Sequence, residues 1–175
     1  MLFAVFAVQN TLEILLKLRT EGVIGVFAVG GAIAASVYVE AVATEDLDVF
    51  AFLQATNSGL LSLTPVYDRL KALGGVVHNE HIVLHGWPVQ LLPPYNPLVE
   101  AAVTAAPEKK FHGVLVPVVS PEYLCAIALQ TGRAKDYQRV NTLLEGAVVD
   151  AEKLAALVKQ YALHERWEQY VRRYG

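Results

Sequence analysis

The sequence predicts an α/β layer followed by a helical C-terminal portion, and three observations carry that reading. Residues 23–29 form a largely apolar run that ends at the pair Gly30-Gly31, as expected of a buried strand feeding a tight turn. A second apolar run opens with two acids one residue apart, Asp46 and Asp48. Beyond Ser120-Pro121 the chain reads as successive segments of helical period.

The elements follow in order. Leu12, Leu15, Leu16 and Leu18 recur at near-helical spacing in residues 11–19, with Glu13, Lys17 and Arg19 on the wet side. Glu21-Gly22 ends that helix, and 23–29 is the first strand. The alanine-rich stretch 32–40 predicts a tightly packed helix after the glycine turn, and 46–53 predicts the next strand. Asn57-Ser58-Gly59 marks a loop. Thr64-Pro65 reads as an N-cap with proline in the first turn, opening a helix to about Leu73 that stops at Gly74-Gly75. Residues 76–84 suggest a small hairpin or two short edge strands. Residues 86–92 form a strand closed by Pro93-Pro94, and Asn96-Pro97 caps a helix to about Ala105. Residues 114–119 are a short strand. Helices are then expected over 122–130, 135–144, 151–162 and 164–174, punctuated by Gly132 and Gly146.

Composition narrows the function classes. The chain has 175 residues and is 54% hydrophobic, enough for a sizeable core and against disorder. A net charge of -3 argues against a dedicated nucleic-acid binder. The single cysteine, Cys125, excludes an internal disulfide or a cysteine-rich zinc site and suits a reducing, cytoplasmic setting, packed as a small hydrophobe. The apolar start at 1–8 has no basic flank and is too short to span a bilayer. It reads as a buried segment leading into the first helix, with no membrane partner.

The chemistry concentrates at the acids and glycines. Residues at i and i+2 on a strand share a face, so Asp46 and Asp48 aim their carboxylates at one spot. Two such oxygen donors suit Mg²⁺ (or Mn²⁺) shared with substrate phosphates. The Gly30-Gly31 turn lets backbone approach a phosphate at a helix start. Metal beside phosphate is the layout of phosphoryl transfer.

The ordered set Val29-Gly30-Gly31, Thr44-Glu45-Asp46-Leu47-Asp48-Val49, Pro88-Val89-Gln90-Leu91-Leu92-Pro93, Ser120-Pro121-Glu122-Tyr123-Leu124 and Gly132-Arg133-Ala134-Lys135-Asp136 resembles the nucleotidyltransferase superfamily with a polymerase-β-like core. Within it, the chain is similar to the bacterial abortive-infection, type IV toxin–antitoxin group. The resemblance implies a mixed β-sheet flanked by helices over 1–119 and a small helical portion over 120–175. It implies transfer of a nucleoside monophosphate from a nucleoside triphosphate to a hydroxyl, with release of pyrophosphate. Gly30 and Gly31 match the phosphate-binding turn, and Asp46 and Asp48 match the metal-binding, catalytic carboxylates. Lys135 lies in a region near the cleft and is a candidate phosphate contact. Gln90 stands where the family places a third carboxylate, and Val42 stands where many of the toxin group have arginine. An amide carries no charge and takes no proton near neutral pH. The acceptor, RNA or protein, stays open, as do a homo-oligomer and a cognate partner protein. The alternative is a catalytically silent nucleotide- or protein-binding module of the same fold.

Other features read as structural first. His78, His81 and His85 are close in sequence, with His81 and His85 expected on one strand face, but hairpin packing accounts for them better than a metal site. Lys109-Lys110 reads as a solvated pair at a turn. Trp167, Tyr170 and Tyr174 read as helix packing or a dimer surface.

Overall fold

The computed structural model describes residues 2–40, 46–54 and 62–175, with side chains from residue 7 onward in the first helix. The first half contains α1 (Leu2–Thr20), β1 (Ile24–Val29), α2 (Gly31–Ser36), β2 (Leu47–Leu53), α3 (Thr64–Ala72), β3 (Val76–His78), β4 (His81–Leu84) and β5 (Trp87–Leu92). The second contains α4 (Pro97–Thr104), β6 (Glu108–Phe111), β7 (Val114–Pro117), α5 (Pro121–Thr131), α6 (Ala134–Glu145), α7 (Ala151–Gln160) and α8 (His164–Tyr174). The larger sheet has the order β1-β2-β5-β4-β3. β5 runs parallel to β2, while β1–β2, β3–β4 and β4–β5 are antiparallel. The sheet is mixed and flanked by helices, as expected.

Strand alternation gives this sheet two unlike faces. Phe27, Val29, Leu47, Val49, Ala51, Ile82, Leu84, Val89 and Leu91 lie on one face, and all are buried. On the other face Ala28 pairs with Phe50, Phe50 with Leu92, and Asp48 with Gln90. The helix α1 runs against β1, β5 and β7. Its Leu12, Leu15 and Leu18 are fully buried, whereas Leu16 is only half-buried. Thr11, also buried, donates its hydroxyl to the carbonyls of Ala7 (2.8 Å) and Leu84 (3.2 Å), which ties α1 to β4.

Several local expectations shift. The helix over 32–40 is shorter: α2 ends at Ser36, with turns to Glu40. Ser36 donates its hydroxyl to the Ile33 carbonyl at 2.7 Å, and the bulky Val37-Tyr38-Val39 run favours helix poorly. Thr64 is the first residue of α3 rather than its cap; the Ser62 hydroxyl accepts the Thr64 N–H at 3.1 Å instead. Lys109 and Lys110 are not at a turn but in β6, which pairs with β7 in a separate hairpin. Lys109 lies over the Tyr38 ring, 5.5 Å from its centroid. Asn57-Ser58-Gly59 lies outside the described residues. Asn96 caps α4 as expected, its side-chain oxygen accepting the Val99 N–H at 2.9 Å.

The C-terminal helices pack onto the same core. Buried Glu122 accepts the Ser120 hydroxyl (2.8 Å) and the Asp150 N–H (3.0 Å), joining the start of α5 to that of α7. Trp167 stacks on Tyr170 and Tyr170 on Tyr174, while Tyr137 of α6 meets both tyrosines. The Tyr170 hydroxyl bonds the Asn141 side chain. The aromatic stripe is therefore packing between α6 and α8. Cys125 is fully buried, and burial pushes its thiol up to about 12, so it behaves as an inert core residue. Among the described residues no helix is long and apolar enough to cross a membrane.

Phe27 is the largest of the fully buried side chains. Phe27→Ala is expected to lower the unfolding free energy by about 3–5 kcal/mol in urea titrations. Val26→Ala next to it, at a position 51% exposed, should stay within about 0.5 kcal/mol.

Candidate functional site

The polar residues of the second sheet face converge at the N-terminal end of β2. Asp48 sits in parallel register beside Gln90. The Gly30 N–H donates to the Asp48 carbonyl at 2.9 Å, so the glycine turn flanks Asp48 on the other side. Asp46 stands just before β2 rather than within it. Its carboxylate lies 3.8 Å from Nε2 of His81, at the start of β4.

The glycine pair is demanded by this packing. Gly31 has φ +59°, a left-handed conformation that suits glycine. A Cβ there would stand 2.0 Å from Oδ2 of Asp48. At Gly30 a Cβ would stand 2.5 Å from the Phe50 ring. The turn thus presses directly on the Asp48 carboxylate, and backbone replaces side-chain bulk where the acid points.

A cationic helix end faces the same acid. Burial, then the charge of Asp46, push the Asp48 carboxyl above its ordinary range, and Arg139, Lys135 and Arg133 of the α6 region pull it back. Asp136 organises these cations from beneath. Its side chain is buried and accepts the Arg133 guanidinium at 2.7 and 3.2 Å and the Arg133 N–H at 3.2 Å. Arg139 Nη1 lies 3.6 Å from the same carboxylate. The exposed Lys135 stands between them in sequence. Sequence reasoning singled out Lys135 and missed Arg133 and Arg139. The three-residue steps from Arg133 to Asp136 to Arg139 were the available signal.

The remaining candidates separate. His78 pairs with His81 across β3–β4. His85 lies in the following turn with φ +50°, so it does not share a strand face with His81. Among the described residues no three His, Cys, Asp or Glu side chains gather as a metal cluster. Val42 lies outside the described residues. A cavity of about 340 Å³, lined by Leu63, Tyr67, Lys71 and Val77 among others, lies between α3 and β3 and shares no residue with the acidic spot.

Two substitutions probe this geometry. Asp48 binds its proton more tightly folded than unfolded, so its contribution to stability is greatest at low pH and is lost as pH rises through its folded-state titration. Asn carries no such charge. In chelator at pH 7, Asp48→Asn should melt at a higher temperature than wild type, and the gap should close as pH falls. A lower melting temperature at pH 7 would mean that the α6 cations outweigh the burial. Gly31→Ala, which meets both strain and collision, should lower unfolding free energy by about 1–3 kcal/mol in denaturant titrations.

No protein-family model matches the chain, and no curated protein sequence matches it. Solved structures do. The chain is similar to an antigenic nucleotidyltransferase-like protein from Paracoccidioides brasiliensis, with a TM-score of 0.59 and 12% identity over 95% of this chain and 92% of that one. It is also similar to the antibiotic-resistance factor ANT(2'')-Ia, with a TM-score of 0.56 and 15% identity over 96% and 98% of the two chains. At these identities the likeness is one of fold, and the fold of this chain is nucleotidyltransferase-like.

Proposed function

We propose that this protein binds a nucleoside triphosphate with Mg²⁺ or Mn²⁺ and transfers a nucleoside monophosphate to a hydroxyl acceptor, releasing pyrophosphate. The observation that carries the reading is the convergence at Asp48. A close-approach glycine turn presses on one half-buried acid, and the charges of a second carboxylate and of three cations of the α6 region act on it.

The residues fit a divalent cation. Asp46 and Asp48 offer hard oxygen donors, and their mutual repulsion is relieved by positive charge. Two protein carboxylates are enough for a cation that completes its shell from phosphates and water. When bound, the metal supplies Lewis-acid charge on the phosphates. Gly30 and Gly31 let the triphosphate lie against backbone. Lys135, Arg133 and Arg139 neutralise its charge from the α6 side, with Asp136 holding the two guanidiniums in place. Gln90, beside Asp48, can orient a group through its amide but cannot take the acceptor's proton.

The test is label transfer from each α-labelled nucleoside triphosphate with Mg²⁺ or Mn²⁺, with total RNA and a protein extract as acceptors. Asp46→Asn should abolish transfer and weaken Mg²⁺-dependent nucleotide binding about 10-fold or more. Gln90→Asp, which restores a third carboxylate, should raise the rate by about 10-fold or more. Nucleotide binding without transfer in wild type would make the chain a silent binding module. A nucleotide Kd unchanged in Asp46→Asn would remove Asp46 from the site.

A further inference from the structure

The nucleotide reading accounts for phosphate and metal but leaves the base without a partner, and an exposed aromatic residue borders the site with no role in the core. Tyr95 is 58% exposed although it is large and partly apolar. It follows Pro93-Pro94 in the segment that joins β5 to α4. Its ring meets Phe50 edge-on, with centroids 6.3 Å apart and planes at 61°. Phe50 is itself fixed: it is buried, lies two residues from Asp48 on the same strand, and presses against Gly30. An edge-on contact anchors Tyr95 while leaving a ring face uncovered. Its phenol bonds the Thr131 side chain at the end of α5 and feels the charges of Arg133, Asp136 and Asp48, and through Phe50 the ring lies on the sheet face that carries Asp48.

We propose that Tyr95 is the stacking platform for the base of the bound nucleotide. This deepens the reading given above and rests on it. Phe50 links the two halves of the site, since its ring lies against Gly30 and also meets Tyr95. A base stacked on Tyr95 leaves the triphosphate extending toward Gly31 and α6. Stacking on a phenol is tolerant of base identity, because every base has a π-face. The site is therefore expected to accept several nucleoside triphosphates with similar affinity.

The experiment separates base from phosphate. Equilibrium binding is measured for ATP, GTP, CTP, UTP and inorganic tripolyphosphate, each with Mg²⁺, on wild type, Tyr95→Ala, Tyr95→Phe and Tyr95→Trp. Tyr95→Ala should weaken binding of the nucleotides by roughly 10-fold and leave tripolyphosphate within about two-fold. Tyr95→Phe and Tyr95→Trp should retain nucleotide affinity. Unchanged nucleotide affinity in Tyr95→Ala overturns the platform while leaving the nucleotide site intact. Equal loss for nucleotide and tripolyphosphate overturns it too, since the residue would then only support the fold. Wild type that binds none of these ligands overturns the nucleotide reading and the platform with it.

Discussion

The parallel pairing of β2 with β5 is the constraint on which the rest of the structure depends. It places Asp48 beside Gln90 and Phe50 beside Leu92 on one face, and Leu47 beside Val89 and Val49 beside Leu91 on the other. A one-residue slip would put Asp48 (in β2) or Gln90 (in β5) into the core and an aliphatic side chain into the cleft. The apolar face is fully covered, so such a slip is strongly disfavoured. The core therefore holds the site in register.

The end of the second face that carries Asp48 is electrostatically unbalanced. Asp48 is partly withdrawn from water, with Asp46 close in sequence and charge. Cations from the start of α6 oppose them without forming a closed ion pair with Asp48. The closed pairing is instead between Arg133, Arg139 and the buried Asp136. A buried carboxylate that spends its bonding capacity on two guanidiniums keeps those groups in place while their charge still acts on Asp48. The result is a region with negative charge on the sheet and positive charge on the helix. A polyanion that carries a divalent cation matches both.

The glycine turn connects the backbone to this charge pattern. Gly31 lies so near the Asp48 carboxylate that any side chain there would displace it. Gly30 lies equally near Phe50, which in turn supports Tyr95. One dipeptide thus sets the position of an acid and of an aromatic ring. The likeness of fold to the two solved structures spans nearly the whole chain.

Much of this was legible from local pattern. The apolar run before Gly30, the acids at 46 and 48, the Asn96-Pro97 cap and the helices after Ser120 are each written in neighbouring residues, and each appears where expected within a few positions. Short-range competition moved some ends: the Ser36 hydroxyl helped close α2 early, and Leu63 stands at the cap of α3 while Ser62 accepts the Thr64 N–H. Strand β6 escaped notice because Glu108, Lys109 and Lys110 are exposed and carry no apolar alternation. What the sequence by itself determined was the order of elements and the residue types at the acidic turn, since both follow from spacing along one segment. What only the tertiary structure decided was which distant residues meet there: His81 at Asp46, Arg133 and Arg139 toward Asp48, and Tyr95 on Phe50. Those meetings depend on strand register and helix docking, which bring together positions separated by tens of residues and leave no periodic trace in the chain.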